Sequence, residues 1–151
     1  MKTRLGEFLE LSVCLTGFGR LQLLGTGMAD EYLRTLDEVL PSGLLDQLLA
    51  AYRGLPAAEA RDAALAEQIL GDPRLGPVAR NLMLLWYCGT WRQLPDTWRA
   101  AHGISPRDQT HVVSAAAYLS GLQWAVVDAH PAGGRPQGFA AWAVAPEGDE
   151  R

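Results

Sequence analysis

Two cysteines and three histidines are all that 151 residues offer of the most reactive side chains. Cys14 and Cys88 define no disulfide framework. Each lies in an apolar helical pattern and reads as a small buried hydrophobe; a bond between them, or from one of them to a partner chain, is the alternative. His102, His111 and His130 stand in no recognisable nucleophile context, and no Gly-x-Ser-x-Gly elbow is present. Cys-x-x-Cys, His-Glu-x-x-His and calcium-loop patterns are missing, so no metal site is expected. Glu7 with Glu10, and Glu59 with Asp62, fall at helical spacing and read as solvated polar faces. Gly17-Phe18-Gly19 and Gly25-Thr26-Gly27 lack both the third glycine and the preceding strand of a phosphate cradle, so they read as turns. No flavin or nicotinamide is expected on this chain, and no catalytic residue is assigned.

A basic stripe is lacking too. The net charge is −4, which argues against a nucleic-acid partner, and there is no basic amphipathic helix for anionic lipid. Glu, Arg, Asp or Gly breaks every apolar run short of a membrane span. Met1-Lys2-Thr3-Arg4-Leu5 is basic, but Glu7 and Glu10 interrupt the apolar residues after it, so the stretch reads as an amphipathic helix and not as an export signal. Three expectations stay open: the chain stays in the cytoplasm, it travels with a partner, or a leader lies outside this sequence.

Leucine and alanine are abundant. β-Branched residues are sparse, and 48% of the chain is apolar with 20% charged. That composition folds, and it favours helix. The expectation is an all-α fold, a single compact domain of about five to six helices over residues 1–129, with an irregular tail over 130–151. The spacing of apolar residues predicts helices over about Leu5–Phe18, Gly27–Leu40 (with Thr26 as its N-cap), a third capped by Ser42 and ending at Gly54, an Ala-rich fourth over Ala57–Leu70, and a fifth over Leu75–Trp91. The buried face of the second is expected to be Met28, Tyr32, Leu36, Val39 and Leu40. On the fifth, Val78, Leu82, Met83, Leu84, Leu85, Trp86, Tyr87 and Cys88 run all round, so it is either central in the core or covered by another chain. A loop over Arg92–Asp108 comes next, then a last helix over Gln109–Val127, with a short strand at Ala125–Asp128 as an alternative for its end.

All five tryptophans, Trp86, Trp91, Trp98, Trp124 and Trp142, lie in the second half. Some serve as core. A binding face is the other use for them, because tryptophan and tyrosine anchor interfaces. The tail, broken by Pro131, Gly133, Gly134, Pro136, Gly138 and Pro146, still carries Phe139 and Trp142. The candidate partner interface is therefore Trp86, Trp91, Trp124, Pro136, Gly138, Phe139 and Trp142.

Four blocks in order look familiar. Leu9-Glu10-Leu11-Ser12-Val13-Cys14-Leu15-Thr16-Gly17 resembles the opening Leu-Ser-x-x-Leu-Thr-Gly segment of the small subunit of bacterial membrane-associated FAD-dependent sugar and polyol dehydrogenases, such as sorbitol, fructose and glucose dehydrogenases. Trp86-Tyr87-Cys88-Gly89-Thr90-Trp91 is similar to that family's Trp-Tyr-x-Gly segment. Ala117-Tyr118-Leu119-Ser120-Gly121-Leu122-Gln123-Trp124 resembles its later helix, and Pro136-Gln137-Gly138-Phe139-Ala140-Ala141-Trp142 its Pro-Gly-Phe-Trp tail. The resemblance implies a non-catalytic chain in a periplasmic or cell-envelope complex. A large partner subunit would hold the FAD and the catalytic residues, and a multi-haem cytochrome subunit often takes the electrons. The small subunit would assist maturation, stability or export of the large one. This sequence departs from the family in having no twin-arginine leader, in the Gln137 that splits Pro136 from Gly138, and in the distance of Trp142 from Phe139. No cysteine stands near the tail, so no disulfide to the large subunit is expected there.

A reading of a different class is a stand-alone helical domain, or a small enzyme, whose aromatics line a pocket for a small apolar ligand.

Overall fold

The computed structural model describes residues 2–129, and the fold is mostly helical. Helix α1, Arg4–Thr16, starts where Thr3 Oγ1 accepts the Gly6 N–H at 3.1 Å and stops where Gly17 takes a left-handed φ of 77°. A short helix not anticipated from periodicity comes next, α2 over Arg20–Gly25. Fewer than two turns between glycines leave no period to read. Gln22 Oε1 accepts the Gly19 N–H at 2.8 Å and satisfies one of its orphan donors. Thr26 closes α2 rather than opening the next helix. Its hydroxyl donates to the Leu23 carbonyl at 2.7 Å and accepts the Met28 N–H at 3.2 Å.

Helix α3, Ala29–Val39, buries Tyr32, Leu36 and Val39, with Met28 and Leu40 buried at its ends, the face the spacing predicts. Helix α4, Leu44–Arg53, buries Leu44, Leu45, Leu48, Leu49 and Tyr52. Gly43, at φ 79°, holds its N-cap position in place of Ser42. The Ala-rich stretch is not one helix. A 3₁₀ turn at Ala58–Ala60 leads into α5, Arg61–Leu65, and then a π turn at Ala66–Leu70, in which Gly71 N–H reaches back to the Ala66 carbonyl at 2.9 Å.

Helix α6, Gly76–Cys88, begins with Pro77 in its first turn, where the missing N–H costs nothing. It ends before the expected Trp91, because Gly89 adopts φ 64°. Strand β1, Thr90–Trp91, then pairs antiparallel with β2, His111–Val112. The loop expected between them contains α7, Asp96–His102. The last helix is also broken, into α8, Ala115–Leu119, and α9, Gln123–Val126. The strand lies at its start and not at Ala125–Asp128. Gly121 lies between the two helices, and no larger residue fits there, because a Cβ would meet the Tyr87 carbonyl oxygen at 2.6 Å.

The buried apolar residues from Phe8 to Leu122 join in one core. Helices α1 and α6 run through it: α1 packs on α2, α3, α4 and α6, and α6 also meets the π turn, β1 and α8. At the centre, Trp86 is stacked on Phe8 at 6.1 Å between ring centroids and meets Tyr32 edge-on at 5.0 Å. Ion pairs cross the outside, Arg4 to Asp37 and Asp46, and Arg53 to Glu7. Exposed pairs of this kind add little stability.

Helix α8 reaches α6 through backbone contact. A Cβ on Gly89 would lie 2.4 Å from the Ala117 carbonyl carbon, and the left-handed φ adds its own strain. Gly89→Ala is therefore expected to cost about 2–3 kcal/mol, read as a lowered midpoint in urea unfolding; an unchanged midpoint would show that α8 is free to move away.

Candidate functional site: an apolar groove on α6

Helix α6 is apolar on two sides, and they face different surroundings. Val78, Ala79, Leu82, Leu85 and Trp86 point into the core. Pro77, Arg80, Leu84 and Tyr87, one stripe at three- and four-residue spacing, line a groove of about 680 Å³ together with Met83, Leu15 of α1, and Leu94 and Pro95 after β1. Met83, Leu84 and Tyr87 are half-buried, so the groove floor is accessible apolar surface.

Each wall is held by a polar contact. Tyr87 donates its hydroxyl hydrogen to the Thr16 carbonyl at 2.9 Å, and Phe18 packs edge-on against its ring at 5.9 Å. Buried Asn81 donates to the Arg92 carbonyl at 2.6 Å, tying the segment after β1 back to α6. Leu94 is fixed by Asp108, which is only 2% exposed. The Asp108 carboxylate accepts from Leu94 N–H at 3.1 Å and Trp91 Nε1 at 2.8 Å, and it pairs with Arg99 Nε at 3.3 Å. Two hydrogen-bond donors and one guanidinium charge stabilise the buried carboxylate, which alone would be costly.

The charged residues lining the groove are Arg80 and Arg92, both exposed. Arg80 donates through Nη2 to the Leu70 carbonyl at 2.9 Å, a group the π turn leaves without a helical partner. Neither arginine is in an ion pair among the described residues, and no Asp or Glu there lines the groove. The site is thus an apolar trough with a cationic rim.

The residues expected at an interface are divided by the structure. Trp86 and Trp91 are core, 1% and 0% exposed, and present no side chain to a partner. Trp86 fills the gap between α1 and α3, and the Trp91 indole is consumed by Asp108. Trp124 is half-buried, edge-on to Tyr118 at 5.6 Å, with Nε1 donating to the Tyr118 carbonyl at 3.0 Å. Pro136, Gly138, Phe139 and Trp142 lie outside the described residues. The groove residues Leu84 and Met83 were signalled by the all-round apolarity of their helix. Leu15, Arg80, Arg92 and Leu94 had no such signal, because nothing local says that three separate segments meet.

The more reactive side chains are engaged elsewhere. Cys14 and Cys88 are free, half-buried thiols. Cys14 Sγ lies 3.5 Å from the Tyr52 hydroxyl and not beside a histidine. Burial, and then the contact with Cys14, pushes Tyr52 up to about 12, so it stays neutral and offers the thiol no base near neutral pH. His102 leans on the Trp98 ring at 5.1 Å, and His111 Nδ1 lies 2.6 Å from the Gln109 carbonyl. No three His, Cys, Asp or Glu side chains converge on a metal position among the described residues, and no helix there is long and apolar enough to cross a membrane. No protein-family model, curated protein or solved structure matches the chain.

Proposed function

We propose that this chain is a non-catalytic helical subunit that docks on a larger protein through the α6 groove, and that the partner is the FAD-containing subunit of a bacterial sugar or polyol dehydrogenase. The observation that carries the docking half is Leu84 with Met83 and Tyr87, apolar and accessible on a helix whose other side is core. A helix that spends leucine on both sides gains from a second apolar surface against it. The choice of partner rests on the four sequence blocks, two of which surround the groove. Leu15 and Thr16 belong to the first block and Tyr87 to the second. The role is stabilisation and maturation of the flavoprotein by mass action, in the cell envelope, with a cytochrome subunit as a further member of the complex.

The test is recovery of tagged chain from its native cells and an absorption spectrum of the material that co-elutes. A large yellow partner with flavin bands, bleached by its sugar or polyol, is the expected result. Leu84→Glu, which puts a charge on the groove floor without touching the core, is expected to weaken capture roughly 30-fold or more, as loss of a central anchor does, with its melting temperature unchanged. A colourless chain eluting alone would sink this reading. A second reading is favoured by one observation: the groove volume of about 680 Å³ lies within the usual range for small-ligand pockets, about 300–1,000 Å³. That reading makes the chain a binder of a small apolar molecule, and a ligand-dependent rise in melting temperature of the isolated chain would support it.

A further inference from the structure

We infer that the partner element seated in the α6 groove is an amphipathic α-helix with a carboxylate side chain at one end of its apolar face. This rests on the docking half of the reading above, whatever the partner's identity. The first observation concerns the backbone. An extended strand added to a wall needs free main-chain donors there, and the wall after β1 lacks them at three consecutive positions. Gln93 N–H donates to Thr110 Oγ1 at 2.9 Å, Leu94 N–H donates to Asp108 at 3.1 Å, and Pro95 has no N–H. The floor and the other wall are the helices α6 and α1, whose own ladders use their amides. The groove thus gives the carbonyls of an occupant little to pair with. A helix, which satisfies its backbone internally, is the element that fits.

The second observation is that the charge is set at one end. Asn81 holds the Arg92 carbonyl at 2.6 Å, which brings Arg92 to the level of Arg80 on α6. Tyr87 and Leu15 mark the apolar end, where the Tyr87 hydroxyl reaches the Thr16 carbonyl. The two ends are about two helical turns, roughly 10 Å, apart along α6. Asn81 and Tyr87 spend side-chain donors on backbone carbonyls, so polar recognition falls to the rim. Arg80 is held there by the Leu70 carbonyl. The carboxylate that follows the wall in sequence, Asp96, is paired with Arg99 at 3.4 Å. Two guanidinium groups with no carboxylate in the described lining are the complement of an acid. The matching helix carries Asp or Glu at that end, and its apolar anchors follow about three or four and about seven residues along, over Leu84 and beside Leu15. A basic helix would set like charges together, which costs affinity.

The experiment uses the full chain in its native cells. The photo-cross-linker p-benzoylphenylalanine replaces Gln93, an exposed residue at the cationic end of the groove, and the cross-linked peptide is sequenced by mass spectrometry. The expected product is a partner helix with Asp or Glu within about one turn of the cross-link and apolar residues at the spacing above. A cross-link to a basic or extended segment, a cross-link to a second copy of this chain, or no cross-linked protein would overturn the inference. The second measurement is capture by tagged chain. Arg92→Glu is expected to weaken capture at least tenfold at about 0.05 M salt and much less at about 0.5 M, where screening is stronger. Its melting temperature stays at the wild-type value, because the side chain is exposed and in no ion pair among the described residues. Arg92→Lys, which keeps the charge, is expected to retain most of the capture, and equal capture by wild type and Arg92→Glu counts against the acidic helix. A captured flavoprotein whose cross-linked segment lacks an acid would defeat this inference and leave the docking reading standing. An acidic helix from a protein without flavin would defeat the choice of partner and leave this inference standing.

Discussion

Trp86→Ala is expected to lower stability by about 3–5 kcal/mol, the range for removing a large aromatic from a core. The side chain is 1% exposed, and both its ring neighbours come from other helices, Phe8 from α1 and Tyr32 from α3. Its loss leaves a hole where α1, α3 and α6 meet. Two of those neighbours are themselves fully buried aromatics, whose stiff rings relax poorly into a void. In a chain of this size that cost corresponds to a melting temperature lower by roughly 10–20 °C, readable by circular dichroism. Trp86→Phe is expected to cost less, since Trp86 Nε1 has no hydrogen-bond partner among the described residues and only volume is lost. The pair also separates core from interface. If Trp86 were a partner anchor, the alanine variant would melt near the wild-type temperature and fail to capture the flavoprotein. A fall in melting temperature without that pattern is the result its burial requires.

Asp108→Ala is expected to cost a similar amount, about 3–5 kcal/mol, for a different reason. The carboxylate accepts from Trp91 Nε1 and Leu94 N–H and forms an ion pair with the Arg99 guanidinium. Removing it leaves an indole N–H and a backbone N–H buried without a partner, and leaves the Arg99 guanidinium with only the exposed Asp96 carboxylate, at 3.4 Å, as counter-charge. Asp108→Asn keeps an oxygen acceptor but also presents an NH₂ to a site supplied only with donors, so it is expected to recover less than half of the loss. The effect has a local signature. Leu94 forms part of the groove wall, so apolar dye binding is expected to change in Asp108→Asn even where the fold survives. If Asp108→Ala unfolds in urea at the wild-type midpoint, solvent or another acceptor replaces the carboxylate, and the buried cluster contributes little.

The buried face of α3 was legible residue by residue, because Met28, Tyr32, Leu36, Val39 and Leu40 repeat at helical spacing and the helix is long enough for the period to show. The same holds for Leu44, Leu45, Leu48, Leu49 and Tyr52 on α4. Helices α2 and α7 were not legible. Each is under two full turns, and Trp98 is the only large apolar residue of α7. The break of the final helix was hidden as well. Nothing in Ser120-Gly121-Leu122 announces that Gly121 must lie against the Tyr87 carbonyl; that contact exists only once α8 has folded back on α6.

The candidate site was half legible. The all-round apolarity of α6 said that both sides of that helix would be covered, and it pointed to Leu84, Met83 and Tyr87. Which tryptophans face outward was not legible, because an indole serves a core and an interface equally well. Trp86 and Trp91 are buried because Phe8, Tyr32 and Asp108, from distant parts of the chain, close over them. Taken alone, the sequence determined a mostly helical chain with amphipathic α3 and α4, through residue spacing and propensity, which are local properties. Only the tertiary structure decided which apolar side of α6 became core and which became groove. That choice depends on where Leu15, Leu94 and the two arginines are carried by the packing of other segments, and such contacts are not encoded by any one stretch of residues.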